Sequence, residues 1–295
     1  MKKNKPKGII LAGGLATRLM PITKVVSKQL LPIFDKPMIF YPLDILLKAK
    51  IRDIAIIVNP IYKEQFVKLL GDGRRYGCNI HYYNQKKPNG IAESYKICKN
   101  FINKSKSVLI LGDNLFYGKD IPKFIINATN DKTGATIFGF KVNNPKDYGN
   151  VQLGNNNEVL DIVEKPKKVR SKYAVTGLYI LDNTATEKVK TLKPSKRGEL
   201  EITSLLQKYI KENELNLKIL NNESAWVDTG RFNSLNDANN FIKTIQKKYG
   251  LMIGCLEETA LKNKWININK VKKNLNEYKN SEYGKYLQKL IKKYV

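Results

Sequence analysis

A chain of 295 residues with 42% hydrophobic content can bury roughly 75% of the surface its unfolded form exposes, so a disordered segment or a disulfide-stapled miniature is excluded. The formal charge of +27 does not by itself mark a nucleic-acid binder, because lysines recur along the whole chain beside asparagines and form no single aromatic-laced patch. Three cysteines, Cys78, Cys98 and Cys255, lack metal-ligand spacing, so reduced thiols and a cytoplasmic setting are expected, and the basic residues 1–6 lead into an apolar run too short for a signal peptide or membrane span.

The first element is the apolar run Gly8-Ile9-Ile10-Leu11-Ala12, which reads as a strand and ends in Gly13-Gly14, with Thr17 and Arg18 close behind. Glycines let backbone N–H groups approach phosphate oxygens, Thr17 adds a hydroxyl, and Arg18 offers a planar fork of donors. Taken alone, a glycine pair also marks an ordinary turn. Lys28 brings a second cation, and residues 38–49 then show helical spacing, with Pro42 disturbing the start. Strands are expected over 53–58, 80–84 and 108–111, and helices over 62–70 and 91–101. This alternation predicts an α/β fold with a Rossmann-like, mostly parallel sheet flanked by helices, whose ligands bind beyond the carboxyl ends of the strands. The glycine loop and Gly112-Asp113-Asn114 both lie at such ends.

A helix is expected over 121–130 and a strand over 135–142. From Asp147 to Tyr179 the pattern changes to shorter strands joined by turns, as at 154–157, which predicts an antiparallel extension over the site. A helix over 200–213, strands over 217–220 and 225–228, and a helix over 232–249 follow. The expected division is a catalytic domain over 1–240 and a Lys/Asn-rich helical extension over 241–295 that serves packing or oligomerisation.

Asp113 and Asp228 each follow an apolar strand. Either one alone is most simply a turn or cap residue. Beside a phosphate loop the pair suits Mg²⁺, which takes one or two carboxylates and completes its shell with phosphate oxygens. The only histidine, His81, is expected to be structural or exposed.

The glycine loop and the block Lys24-Val25-Val26-Ser27-Lys28-Gln29-Leu30-Leu31-Pro32 together resemble the opening of the sugar-nucleotide pyrophosphorylases, most closely those acting as glucose-1-phosphate thymidylyltransferases. Further motifs of that family stand in its order: Gly112-Asp113-Asn114, Asp147-Tyr148-Gly149, Glu164-Lys165-Pro166, Ala174-Val175-Thr176-Gly177, Arg197-Gly198-Glu199 and Ala225-Trp226-Val227-Asp228. The resemblance implies a reaction of dTTP with glucose 1-phosphate giving dTDP-glucose and pyrophosphate, dependent on Mg²⁺, in a homotetramer with no nucleic-acid or membrane partner. It implies Asp113 and Asp228 as metal ligands, Arg18 facing the triphosphate and leaving group, and Lys28 facing the α-phosphate. Leu11, Gly13, Gly14, Thr17, Arg18, Gln85, Pro88, Gly90 and Asp113 would surround the nucleotide. Asn114, Tyr148, Gly149, Glu164, Lys165 and Val175 would surround the sugar phosphate, placing the antiparallel extension on the sugar side.

The residue types agree with that chemistry. A sugar phosphate has a second pKa of about 6 and is mostly dianionic at neutral pH, so no general base is needed. A glutamine amide such as that of Gln85 can donate to a carbonyl and accept from N3–H of thymine, and uracil presents the same edge. Two features depart from the family. Leu15 and Ala16 replace a serine and a third glycine of the loop, and a left-handed backbone at Ala16 would cost about 1–2 kcal/mol. At the family's second nucleotide site, Lys119 and Lys262 stand where a histidine and an arginine are usual, and lysine cannot reproduce arginine's bidentate fork, which weakens the case for feedback by a deoxysugar nucleotide. Two alternatives remain open: the same chemistry with UTP or another sugar 1-phosphate, and a catalytically weak regulatory protein that binds sugar nucleotides.

Overall fold

The computed structural model describes residues 4–131, 134–155 and 158–294. Part of the basic start at 1–6, part of the turn expected at 154–157 and the last residue of the tail lie outside the described residues.

Strand β1 (Lys7–Ala12) leads through three single-turn 3-10 segments and a hairpin of β2 (Pro32–Ile33) and β3 (Lys36–Pro37) into helix α1 (Phe40–Lys48). Pro42 falls in the first turn of α1, where its missing N–H has no helical partner to lose. Next come β4 (Asp53–Val58), α2 (Lys63–Leu70), β5 (Asn79–Asn84), α3 (Glu93–Ile97), α4 (Lys99–Ile102) and β6 (Ser107–Leu111). The single helix expected over 91–101 is interrupted at Cys98, whose φ of −94° and ψ of 13° leave the helical well. Strands β6, β1, β4 and β5 are parallel neighbours in that order. Ile9, Ala55, Ile57 and Leu109 pack on one face, whereas Ile10, Ile54, Ile56 and Ile110 pack on the other. A parallel sheet covered on both faces has no solvent side, which is why β6, β1 and β4 read as apolar runs, whereas the edge strand β5 alternates between buried and exposed residues.

The chain continues with β7 (Asn114–Tyr117), α5 (Ile121–Asn130), β8 (Ala135–Lys141), β9 (Gly149–Leu153), β10 (Val159–Glu164), β11 (Tyr173–Leu181), α6 (Ala185–Lys188), α7 (Ile202–Lys211), β12 (Leu215–Ile219) and β13 (Ala225–Asp228). Strand β11 lies antiparallel to β6 and extends the same sheet toward β8, β9 and β10. The antiparallel extension is therefore continuous with the parallel sheet. The sequence reading had no strand at β7. It pairs antiparallel with β13 and sets Asn114 opposite Asp228.

Helices α8 (Phe232–Tyr249), α9 (Leu256–Lys262), α10 (Ile268–Leu275) and α11 (Glu282–Tyr294) complete the chain. Ala238 and Ile242 of α8 cover a cluster with Met38, Tyr41 and Leu115. Val271, Leu287 and Leu290 join the same core cluster as α1 and α2. The buried Glu257 carboxylate accepts from Tyr283 Oη and Asn274 Nδ2, tying α9 to both helices beyond it. All three cysteines are free and buried. His81 is exposed and leans on the Phe101 ring, with centroids 5.3 Å apart. No helix among the described residues is long and apolar enough to cross a membrane.

Leu287 is fully buried in that shared cluster, so truncating it should leave a cavity that the core cannot fill. Leu287→Ala is expected to cost about 2–5 kcal/mol, read as a lower urea midpoint for the whole chain in one transition.

Candidate active site

The loop after β1 is built for an anion. Gly14, Thr17 and Arg18 are exposed, while Lys28 is buried, at 4% exposure, on the segment that follows. Gly13 is needed for close approach, since a Cβ there would collide with the Gln85 side chain, whose own Cβ lies 2.9 Å from that position. Ala16 adopts φ 48° and ψ 47°. It is the left-handed position at which the sequence departs from the family's glycine. Gln85, Pro88 and Gly90 follow β5 on the same side of the sheet as the loop, with Gly90 at φ 105° against the backbone of Leu200.

Lys28 Nζ meets Asp113 Oδ2 at 2.6 Å, joining the post-loop segment to the end of β6. Asn114 holds the neighbourhood together: its Nδ2 donates to Asp113 Oδ1 at 3.0 Å, and its Oδ1 accepts from Trp226 Nε1 at 2.6 Å and Gly177 N at 3.1 Å. Thr229, just past β13, donates through Oγ1 and N to the Asp113 carbonyl at 2.8 and 3.2 Å. These bonds hold the ends of β6 and β13 together, so Asp113 and Asp228 share one corner.

A cleft of 210 Å³ opens beside that corner and is lined by Arg18, Asp113, Asp228 and all six residues expected around the sugar phosphate. An adjoining space of 180 Å³ adds Arg231 and Ser234 to Arg18, Tyr148, Lys165 and Asp228. Gly149 and Glu164 are a cross-strand pair of β9 and β10. Lys165 then turns to φ 43°, its N–H donating to the Tyr148 carbonyl at 3.0 Å. The Glu-Lys-Pro triplet is thus a strand end that turns its lysine into the cleft. Tyr148 stands edge-on to Trp226 with ring centroids 5.1 Å apart.

The sequence profile described as nucleotidyl transferase matches residues 7–245. The chain belongs to that family. A Xanthomonas campestris protein named glucose-1-phosphate thymidylyltransferase is 48% identical over 97% of this chain and 97% of its own length. A Neisseria meningitidis protein of the same name is 46% identical over 97% of this chain and all of its own. A crystal structure of a Bacillus anthracis protein assigned that name, in complex with sucrose, shares 40% identity and covers 80% of this chain and 95% of that one, with a TM-score of 0.76.

In this nucleotidyl transferase the charges of the cleft explain one another. Burial pushes the Asp228 carboxyl up to about 6, and the negative Asp113 adds to that, against the pull of Lys28, the Gly230 N–H and Arg18. Burial likewise raises Glu164, opposed by Lys165. Two carboxylates repelling each other in a pocket of cations call for a hard divalent cation that takes its other ligands from phosphate. Asp113 and Asp228 are two carboxylates beside the cations Lys28 and Arg18, a donor set that fits a divalent ion whose remaining ligands would come from phosphate and water.

Sequence reasoning assigned no role to Arg197 or Arg231, although both line these spaces. Arg197 Nη1 lies 3.8 Å from Glu164 Oε1 and 3.4 Å from Glu201 Oε1, and its Nη2 lies 2.9 Å from Glu199 Oε1. The signal was present, since a lysine-dominated chain has only seven arginines, three of which face this cleft. A larger cavity of 440 Å³ lies elsewhere, among α1, α9 and the end of β7, and includes Lys119 and Lys262. Lys262 is paired there with Glu258 at 2.7 Å. That cavity gathers none of the strand-end carboxylates, so the smaller cleft is the candidate reaction centre.

Ala16→Gly removes the Cβ from a left-handed residue at the cost of a freer unfolded chain. The net expectation is a gain of about 0.5–1 kcal/mol, checked as a higher urea midpoint with an unchanged slope.

Proposed function

We propose that this nucleotidyl transferase is a glucose-1-phosphate thymidylyltransferase, converting dTTP and α-D-glucose 1-phosphate to dTDP-glucose and pyrophosphate as the entry to deoxysugar synthesis. What carries the reading is one cleft that joins a phosphate loop, two strand-end carboxylates and a sugar-sized pocket with its own cations. End-to-end similarity to relatives of that name supports it.

A sugar-phosphate oxygen attacks the α-phosphorus of dTTP, a new P–O bond forms, and the bond to the bridging oxygen breaks as pyrophosphate leaves in line. The sugar phosphate is already a dianion, so no side chain has to remove a proton. Mg²⁺, which Asp113 and Asp228 would hold, supplies charge neutralisation on the phosphate oxygens. Arg18 on the open loop takes up charge on the triphosphate and the departing pyrophosphate. Lys28, anchored on Asp113, faces the α-phosphate, and its burial strengthens its effect on charge that develops there. Lys165 and Arg197 hold the sugar phosphate against repulsion from the triphosphate, while Glu164, Tyr148, Asn114 and the backbone at Gly149 and Val175 meet the sugar. Leu11, Gly13, Gly14, Thr17, Gln85, Pro88 and Gly90 enclose the nucleotide. Residues 1–240 carry the catalysis and 241–295 serve assembly into a cytoplasmic homotetramer; the profile match ends at 245, short of α9 to α11.

Pyrophosphate release from glucose 1-phosphate and Mg²⁺, with dTTP, UTP, ATP, GTP and CTP in separate reactions, tests the function. The expected result is that dTTP leads and that Asp113→Asn loses about a hundredfold or more in kcat. Binding of dTTP with no turnover of any nucleotide would instead make the protein regulatory.

The raised Asp228 carboxyl also sets a pH limit. Above about 6 it is deprotonated and free to bind a cation, while below that pH a proton competes. Mn²⁺ titrated onto the protein alone should bind about tenfold more weakly per pH unit below 6, and Asp228→Asn should flatten that slope. Omitting the sugar phosphate keeps its own ionisation out of the measurement.

A further inference from the structure

Gln85 is buried, at 3% exposure, and its backbone N–H donates to the Val58 carbonyl at 2.8 Å, which fixes it just past the end of β5. Its amide nitrogen donates to Glu93 Oε2 at 2.7 Å and also points at the Gly90 carbonyl, 3.5 Å away. Glu93 takes Asn89 Nδ2 on its other oxygen at 2.8 Å. A carboxylate only accepts, so the Gln85 amide cannot turn round without setting its own oxygen against Glu93. Gln85 Oε1 is thereby directed at Gly13, into the space a Cβ would need. Among the described residues Oε1 accepts no hydrogen bond, and it is not wholly sealed from solvent, so its lone pairs are left for a ligand's N–H.

We propose that Glu93 is a specificity-determining positioning residue: by holding the Gln85 amide in one orientation it makes the base pocket accept a ring N–H, admitting thymine or uracil and turning away cytosine. The proposal rests on the reading that Gln85 meets the base. Thymine and uracil carry a proton on N3, which Oε1 can accept. Cytosine carries a lone pair there, so two acceptors would face each other with no proton between them, and Oε1 would lose its solvent without gaining a partner. A site built around a hydrogen bond rejects the ligand that cannot make it far more strongly than it rejects one lacking a methyl group. Discrimination is therefore large between dTTP and dCTP and small between dTTP and dUTP.

The test is steady-state pyrophosphate release with dTTP, dUTP and dCTP on the wild-type protein, Glu93→Gln and Glu93→Asp. Glutamine at 93 both donates and accepts, which frees the Gln85 amide to turn. The expected result is a fall of about tenfold or more in the dTTP to dCTP ratio of kcat/KM, carried by KM, with kcat for dTTP kept within about threefold. Glu93→Asp keeps an acceptor-only group and should keep the preference for dTTP. An unchanged ratio in folded Glu93→Gln overturns the role given to Glu93. A wild-type protein that uses dCTP as readily as dTTP overturns the polarity of the pocket, whereas one that turns over no nucleotide overturns the functional reading beneath it. Should Glu93→Gln fail to fold, calorimetric dissociation constants of dTDP and dCDP on the wild type and Glu93→Asp decide the matter, and parity between the two ligands overturns the proposal.

Discussion

Two carboxylates that repel each other have to be held in one half-buried corner, and the Lys28–Asp113 ion pair is what makes that arrangement tolerable. A pair buried at its lysine end adds little net stability, but losing Asp113 would leave the Lys28 charge uncompensated, so the whole segment that delivers Lys28 must be fixed. That segment is short and irregular, three 3-10 turns and a two-residue hairpin. It is clamped from outside by helix α8: Asn239 accepts from the Phe34 N–H, Gln246 Nε2 donates to Asp35, and Gln246 Oε1 accepts from Lys36 Nζ at 3.3 Å. Helix α8, far away in sequence, thereby helps to hold the cation near the reaction centre.

Two of the chain's left-handed non-glycine residues bear on the same site: Lys165 lines the cleft, and Ala16 lies in the loop two residues before Arg18, which lines it. Such conformations persist only where the surroundings over-determine them. At Ala16 the backbone is held by the hydrogen bond from Thr23 Oγ1 to its carbonyl, at 3.0 Å. At Lys165 the Tyr148 carbonyl does so. Gly177 shows the complementary device: Asn114 Oδ1 occupies the space a Cβ would need, so only glycine lets the strand approach the hub that holds Asp113.

Much of this could be read from the chain. Residues 232–249 have helical periodicity and a terminal glycine, and the helix runs Phe232–Tyr249 with Gly250 left-handed behind it. The strands buried on both faces were legible because an unbroken apolar run needs no context. Strand β7 was not, because four residues between an Asp-Asn pair and a glycine carry too little pattern to distinguish a strand from a turn. The helix broken at Cys98 was missed because apolar spacing continues across the break. Glu93 drew no notice because a glutamate opening a short helix is ordinary until its partners are seen.

The local chemistry was set by sequence alone: glycines at a strand end, an arginine where lysine is the habit, aspartates after apolar runs, and a fold class that follows from the βαβα alternation. These are properties of residue type and spacing, and they survive without knowledge of the partner. Convergence was decided only by tertiary structure. Asp113 and Asp228 are 115 positions apart, and nothing local says that β7 will pair with β13 to bring them together. The left-handed turn at Ala16, the buried ion pair and the orientation of the Gln85 amide are likewise relations between distant groups. They exist only once packing has removed the water that would otherwise satisfy each group alone.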